Sequence, residues 1–588
     1  GPEDSCGEDG FEAGADSGGK RTAGMREQTA GLSKNYILWF LIIWVAQMAA
    51  AFYFCTQKQG FHEDEYYTYY ATARTAGFYV EDGQWMDRET YRNEFVVLPG
   101  ERFQYGLVKQ VQSWDVHPPV YYWVFHTVAS LVPNVFSKWI GLSVNLFFHG
   151  MNIILLTYLS YLVSGRDARL ALLVTLVYGF SPAALSGVVF IRMYEMLTAF
   201  VLLCGIVHMR AVECGERKLP VMRSLIPMAV VTYVGFLTQY YYFIFLFFLA
   251  VAFCLWLLWR DRKIWNCLRY GISQTIAFGL AYLTYPSFPA QMFRGQRGAQ
   301  ATENFFDLSN TLDRVSFFVD LLDRYVFGHM FFLLLLVIVL LAVTVRWSGR
   351  KTAGAEKRER IIDGGMEHNA ARQDGLRTGQ QRNRLFGTGF YMFLFTAAGY
   401  FLAVSKTALL LGETSNRYQL PVYGILVLLV FMTVKTLWRK VTTVPGIENG
   451  AVRAAVVFCL VLPVIGHVRE DVVFLYPEDR EQTAYARARA AEQTPVVYLY
   501  RPGEEWCIWD VTNELLEYPS VYFASAEQGS EIEDDTIRSA GAIVLYLPKE
   551  GDAAARPAGP GGDNAAWADA SCELVFEEKY CDVYYVEK

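Results

Sequence analysis

The chain has 588 residues, of which 53% are hydrophobic, 16% aromatic and only 19% charged. Its apolar residues come in long blocks, a pattern that excludes a soluble multi-domain protein and points to a polytopic membrane protein. The net charge of −7 argues against nucleic acid as a partner.

Residues 1–35 are polar and rich in Gly, Ala and Ser, and read as a disordered cytoplasmic tail, with Gly1-Pro2 set aside as the scar of a removed tag. Eleven transmembrane helices are expected, near residues 36–54, 137–163, 168–189, 195–213, 221–238, 241–259, 264–285, 326–345, 386–404, 420–438 and 452–470. The first reads as an uncleaved anchor. Residues 119–133 are apolar but short and follow Pro118, so they read as a helix lying at the membrane surface. Basic residues recur in alternate loops: Arg166 and Arg169, then Arg210, Arg217 and Lys218, then Arg260, Arg262 and Lys263, and finally Arg439 and Lys440. The positive-inside rule then places the N-terminus in the cytoplasm. The loop 346–385, with ten Lys or Arg against five acids, reads as a flexible cytoplasmic linker.

This topology divides the chain into a transmembrane domain, 36–470, and a small extracytoplasmic α/β domain, 471–588. The outer side receives the loop 55–136, the turns at 190–195, 239–240 and 405–419, the loop 286–325 and the tail. From Glu478 onward there are 23 acids and nine bases. Strand-like runs at 496–500, 521–524, 542–547 and 583–586 alternate with helical stretches at 481–492, 511–516 and 534–538, the rhythm of an α/β unit. Cys507, Cys572 and Cys581 allow at most one disulfide among them, with Cys572 and Cys581 the nearest pair in sequence.

The loop 55–136 carries the chemistry. Glu63-Asp64-Glu65 is a run of like charges just past the first span. Adjacent carboxylates raise one another's pKa values, and partial desolvation adds to this, so a general base is expected here. Asp115 and His117, in Asp115-Val116-His117-Pro118-Pro119, are candidates to orient that base or bind an acceptor, with Glu63 in the same role. A solvated acidic loop is the bland alternative. Three cations on the same side, Arg192, Lys406 and Arg417, run against the positive-inside rule. Snorkelling to lipid headgroups would explain them; so would an anionic substrate, with phosphate held by arginine forks and a lysine point charge.

The Asp64-Glu65 pair and the His117-Pro118-Pro119 segment, followed by Arg192-Met193-Tyr194, Leu237-Thr238-Gln239-Tyr240-Tyr241 and Arg417-Tyr418 with Pro421, resemble the protein O-mannosyltransferase and aminoarabinose-transferase branch of the GT-C membrane glycosyltransferases. The likeness covers roughly residues 36–440. It implies Asp64 as catalytic base beside Glu65, a sugar donor on a polyprenyl phosphate held by Arg192, Lys406 and Arg417, and a pocket that includes Tyr194, Gln239, Tyr240 and Tyr418. Where this chain has Gln239 the family often has His. The expected reaction is an inverting, mannosyltransferase-like transfer to a hydroxyl or amine of a protein, glycan or lipid acceptor at the outer face of a membrane, a prokaryotic plasma membrane by the absence of a sorting signal. No cofactor is implied. His62, Glu63, Asp64, Asp115 and His117 offer metal ligands, but without a spacing that specifies a divalent ion. A transporter or flippase of lipid-linked sugars is the competing reading; it would normally show internal repeats and charges at mid-membrane.

Overall fold

The computed structural model describes residues 34–73, 80–216, 218–293, 296–362, 385–442, 449–526, 532, 534–549 and 570–588. Residues 1–33, and with them nearly all of the expected tail, lie outside this set.

Seven helices are long and apolar enough to cross a membrane: Asn35–Gln57, Lys138–Val163, Tyr194–Cys214, Val221–Thr238, Tyr241–Asp261, Thr388–Thr407 and Gly412–Val441. The pair Ala168–Gly179 and Pro182–Val189, bent by 60°, makes an eighth if taken as one span. Ser181 produces this break: its hydroxyl caps the second segment by accepting the Ala184 N–H, and Pro182 occupies the first helical position, where a missing N–H costs nothing. The remaining three expected segments are helical too, at Trp265–Thr284, Phe331–Trp347 and Ala454–Arg469, but fall short of the same test. The chain is thus a polytopic helical membrane protein. Its first span sits at the periphery: only 11% of its apolar window is buried, and Ile37, Leu38, Leu41 and Val45 face outward as lipid-facing side chains do.

Residues 119–133 form one helix, Val120–Leu131, as expected. The linker expected at 346–385 is corrected in its first part, because the helix that begins at Phe331 runs on to Ile362; residues 363–384 lie outside the described set. The turn just before the helix at Phe331 meets the end of the last apolar helix in a close backbone approach. Gly328, at φ +54°, lies against Gly466, and a side chain on Gly466 would overlap the Gly328 carbonyl.

The C-terminal region forms a six-stranded mixed sheet in the order β1-β3-β2-β4-β6-β5. The strands are β1 (Gln84–Asp87), β2 (Val496–Tyr500), β3 (Ser520–Ser525), β4 (Ala542–Pro548), β5 (Ser571–Glu577) and β6 (Cys581–Glu587). β2 runs parallel to both β3 and β4, while β1, β5 and β6 pair antiparallel. Alternate residues serve opposite faces: Val497, Leu499 and Leu545 pack in a small cluster on one side, and Val496, Tyr498, Val544 and Tyr546 join the main core on the other. β1 comes from the loop 55–136, so the sheet crosses the boundary drawn at residue 470. Trp509 seals this junction, with its ring 5.1 Å from Phe95, 5.4 Å from Tyr70 and 5.6 Å from Tyr67. Cys572 and Cys581 are free thiols: β5 sets Cys572 opposite Val586, at the far end of β6 from Cys581.

Candidate active site

The acidic run opens a helix, Glu63–Ala73. Its start is a capping box built from His and Glu. His62 Nδ1 accepts the Asp64 N–H at 3.1 Å, and the Glu65 carboxylate reaches back to accept the His62 N–H at 2.6 Å. Three acids in the first turn also suit the positive end of the helix dipole. Because Nδ1 accepts, the His62 proton sits on Nε2; burial pushes this histidine down to about 4, so it stays neutral.

Asp64 lies at the second position of this helix, with its side chain 32% exposed. Its Oδ2 meets Arg417 Nη1 at 3.0 Å. Burial alone would push the carboxyl up, but the charges of Arg417 and Arg192 outweigh it and hold Asp64 below the ordinary carboxylate range. The expected upward shift is therefore corrected: two guanidinium groups, not the neighbouring acids, set the local field.

Glu65 is also corrected as a catalytic group. It and Lys58 are fully buried and paired at 2.9 Å, so no substrate reaches either. Glu65 Oε1 accepts the Ile191 N–H at 2.6 Å, and Lys58 Nζ donates to the Phe474 carbonyl at 2.8 Å. The pair thus ties the first helix, the 190–192 segment and the start of the C-terminal region at one point. Burial works against both charges, pushing Lys58 down and Glu65 up, while their mutual attraction and the backbone donors on Glu65 pull the other way.

Arg192, held next to Ile191, is buried among protein acceptors. Its Nη1 reaches the Asp64 carbonyl at 3.0 Å and the Thr68 and Tyr122 hydroxyls at 3.1 Å; Nη2 lies 3.3 Å from His117 Nε2. Arginine cannot accept a hydrogen bond, so His117 Nε2 is the acceptor and its Nδ1–H donates to Asp115 Oδ2 at 3.1 Å. The line Asp115–His117–Arg192–Asp64 is one connected set. Gln291 braces it by donating to the Asp115 and Gln112 carbonyls while accepting the Tyr240 hydroxyl. Tyr240 therefore supports the loop, and Gln239 lies beside it, capping the preceding helix.

Arg417 is as buried as Arg192 but has fewer hydrogen-bond partners among the described residues. Its guanidinium lies over the Phe190 ring at 5.2 Å and the Tyr418 ring at 5.0 Å. Nη2 donates to the Tyr418 hydroxyl at 3.2 Å, whereas the buried Nε has no hydrogen-bond partner among the described residues. Tyr194 stands edge-on to Tyr418 at 5.9 Å, completing an aromatic collar.

Lys406 does not join this group. Its ammonium is taken up by the Asp307 carbonyl, Asn310 Oδ1 and the Thr311 hydroxyl, so it fastens the 307–311 turn to the helix Thr388–Thr407. Glu63 points the other way, onto the C-terminal region, where Lys579 Nζ and the Tyr580 hydroxyl both meet its Oε2 at 2.8 Å. Tyr66 and Tyr121 are fully buried and cannot stack on a sugar.

Sequence reasoning missed Lys58, Thr68 and Phe190, and offered His62 only as a metal ligand. Only His62 carried a local signal, the spacing of a capping residue three before Glu65. Among the described residues, no three His, Cys, Asp or Glu converge in an arrangement that would hold a metal ion.

No protein-family model matches the chain, and no curated protein matches it. Solved structures similar to it include two of one protein. ArnT from Cupriavidus metallidurans bound to undecaprenyl phosphate is 12% identical, with 94% of this chain and 98% of that one covered and a TM-score of 0.48. The apo state of the same protein is 10% identical over 88% and 96%, with a TM-score of 0.32.

Proposed function

We propose that the chain is an inverting glycosyltransferase that moves a sugar from a polyprenyl-phosphate donor to an acceptor hydroxyl or amine at the outer membrane face. The observation that carries this reading is the meeting of one partly exposed carboxylate, Asp64, with two buried guanidinium groups from distant turns, Arg192 and Arg417, beside the membrane-spanning helices.

Asp64 takes the proton of the acceptor O–H or N–H as the acceptor atom bonds to the anomeric carbon. The bond from that carbon to the phosphate oxygen breaks, and its electron pair leaves with the prenyl phosphate. Arg417, whose Nε has no hydrogen-bond partner in the described structure, meets the growing phosphate charge, in a site where fixed charges need no reorganisation. Arg192 holds the Asp64 backbone and adds its field. A carboxylate this depressed is a weak base on its own. A phosphate drawing Arg417 away from Asp64 Oδ2 raises the basicity of Asp64 at the moment the donor is in place. Glu65, Lys58 and His117 position these groups.

The test uses vesicles containing the full chain and a panel of polyprenyl-phosphate hexoses. Asp64→Asn should lower transfer by about 10²–10⁴-fold while retaining donor binding, and Arg417→Gln should weaken donor binding. Transfer at the wild-type rate in both variants would refute the assignment. Movement of the lipid-linked sugar across the bilayer without transfer would favour a flippase.

A further inference from the structure

The C-terminal region holds a cavity of about 260 Å³ at the ends of β2 and β4. Tyr500, Arg501, Trp506, Lys549, Lys579 and Tyr580 line it. The tail from Glu478 has only nine basic residues against 23 acids, yet three of the nine gather here. The one acid on the wall is Glu504, 3.6 Å from Arg501. Trp506 is 40% exposed, and its ring stands edge-on to Tyr580 at 5.0 Å; Lys579 Nζ lies 4.5 Å from the centre of the Tyr580 ring. The cations have protein partners as well: Arg501 donates to the Lys549 carbonyl, Lys549 lies 3.4 Å from Asp582, and Lys579 pairs with Glu63. A guanidinium has five donors and an ammonium three, more than these contacts use.

We infer that this cavity is an acceptor subsite for an anionic saccharide, one bearing a carboxylate or a phosphate. The chemistry follows from the wall. Aromatic rings with an accessible face suit the apolar face of a sugar, and a guanidinium with two ammonium groups suits an anion. Its position supports the same assignment. Lys579 and Tyr580 belong to the cavity wall and also hold Glu63, the residue next to Asp64. The acceptor role rests on the transferase reading above; the binding site does not.

Binding is read without turnover, on the full chain in lipid nanodiscs, by calorimetry with three probes: digalacturonic acid, glucose 1-phosphate and the neutral disaccharide maltose. At least one anionic probe should bind roughly tenfold tighter than maltose, and the one that does so identifies the anion. Arg501→Gln and Trp506→Ala should each weaken it by roughly tenfold, the loss expected for one charged hydrogen bond or one stacked ring. Trp506→Phe should largely restore binding, and Asp64→Asn should leave it unchanged. Binding indifferent to charge, or unchanged in both Arg501→Gln and Trp506→Ala, overturns the proposal. Failure of the transferase reading shows separately, as transfer retained by Asp64→Asn.

Discussion

Lys58 and Glu65 sit at the centre of the site without touching a substrate, and removing one differs sharply from removing both. Lys58→Met leaves the Glu65 carboxylate wholly buried with two backbone N–H donors, from His62 and Ile191. Stranding one member of a buried pair typically costs about 3–5 kcal/mol. Here the lower end applies, because those two donors remain and because Glu65, already pushed up by burial, escapes part of the cost by taking a proton. Glu65→Gln belongs at the upper end: with its amide oxygen in the Oε2 place, where it meets both Lys58 and the His62 N–H, its NH2 faces the Ile191 N–H, donor against donor, and the buried ammonium is left without a counter-charge. The double variant buries no charge and should cost less than the sum of the two by about 2 kcal/mol or more. The assay is a double-mutant cycle of denaturant-induced unfolding in detergent, followed by donor affinity and transfer rate for each variant. Both single variants should also lose transfer, because Ile191 is held by Glu65 and carries Arg192 beside it. Strict additivity in the cycle, or single variants as stable as wild type, would refute the claim that this pair sets the site's geometry.

His62 predicts a pH dependence. An unfolded histidine titrates near 6.5 and the folded one near 4, so between these values the unfolded chain binds more protons. Stability therefore falls as pH drops from 6.5 to 4, by on the order of 3 kcal/mol in all. His62→Asn, whose side-chain oxygen can still accept the Asp64 N–H, should remove that part of the slope; equal slopes in both proteins would contradict it. Lys406→Met should lower thermal stability by loosening the 307–311 turn while leaving donor affinity within about twofold of wild type, the opposite of what a phosphate ligand would give. Gly466→Ala should destabilise by more than the few tenths of a kcal/mol usual for an exposed site, because its methyl meets the Gly328 backbone instead of a side chain that can move; wild-type melting behaviour would show that the two segments part readily.

Much of the scaffold was legible because it obeys local rules. The runs 496–500 and 542–547 became β2 and β4 almost to the residue, since their alternate side chains are apolar on two buried faces. Gln84–Asp87 gave no such sign: four mixed residues become a strand only because Ser520–Ser525 offers them a free edge. In the site, the residue types were legible and the partners were not. Asp64 and Arg417 stood out as charges at a membrane boundary, yet nothing local shows that Arg417 pairs with Asp64 while Lys406 closes a turn. The direction of the Asp64 shift went astray for the same reason: its sequence neighbours are acids, and its spatial neighbours are arginines from residues 192 and 417. Lys58 looks like an ordinary interfacial lysine until Phe474, 416 residues away, supplies its carbonyl.

The union of the first loop with the C-terminal sheet also bears on timing. Glu63 waits for Tyr580, 517 residues later. At synthesis rates of ~5–20 residues per second, that interval is roughly 25–100 s. Through most of it, the capped helix can form, but the Trp509 seal and the edge pairing with Ser520–Ser525 do not yet exist, and the brace from Tyr580 comes last. A nascent or C-terminally clipped chain can therefore thread the bilayer and still lack a finished active site, so cleavage in the tail should silence the protein without removing any of the charges at its centre.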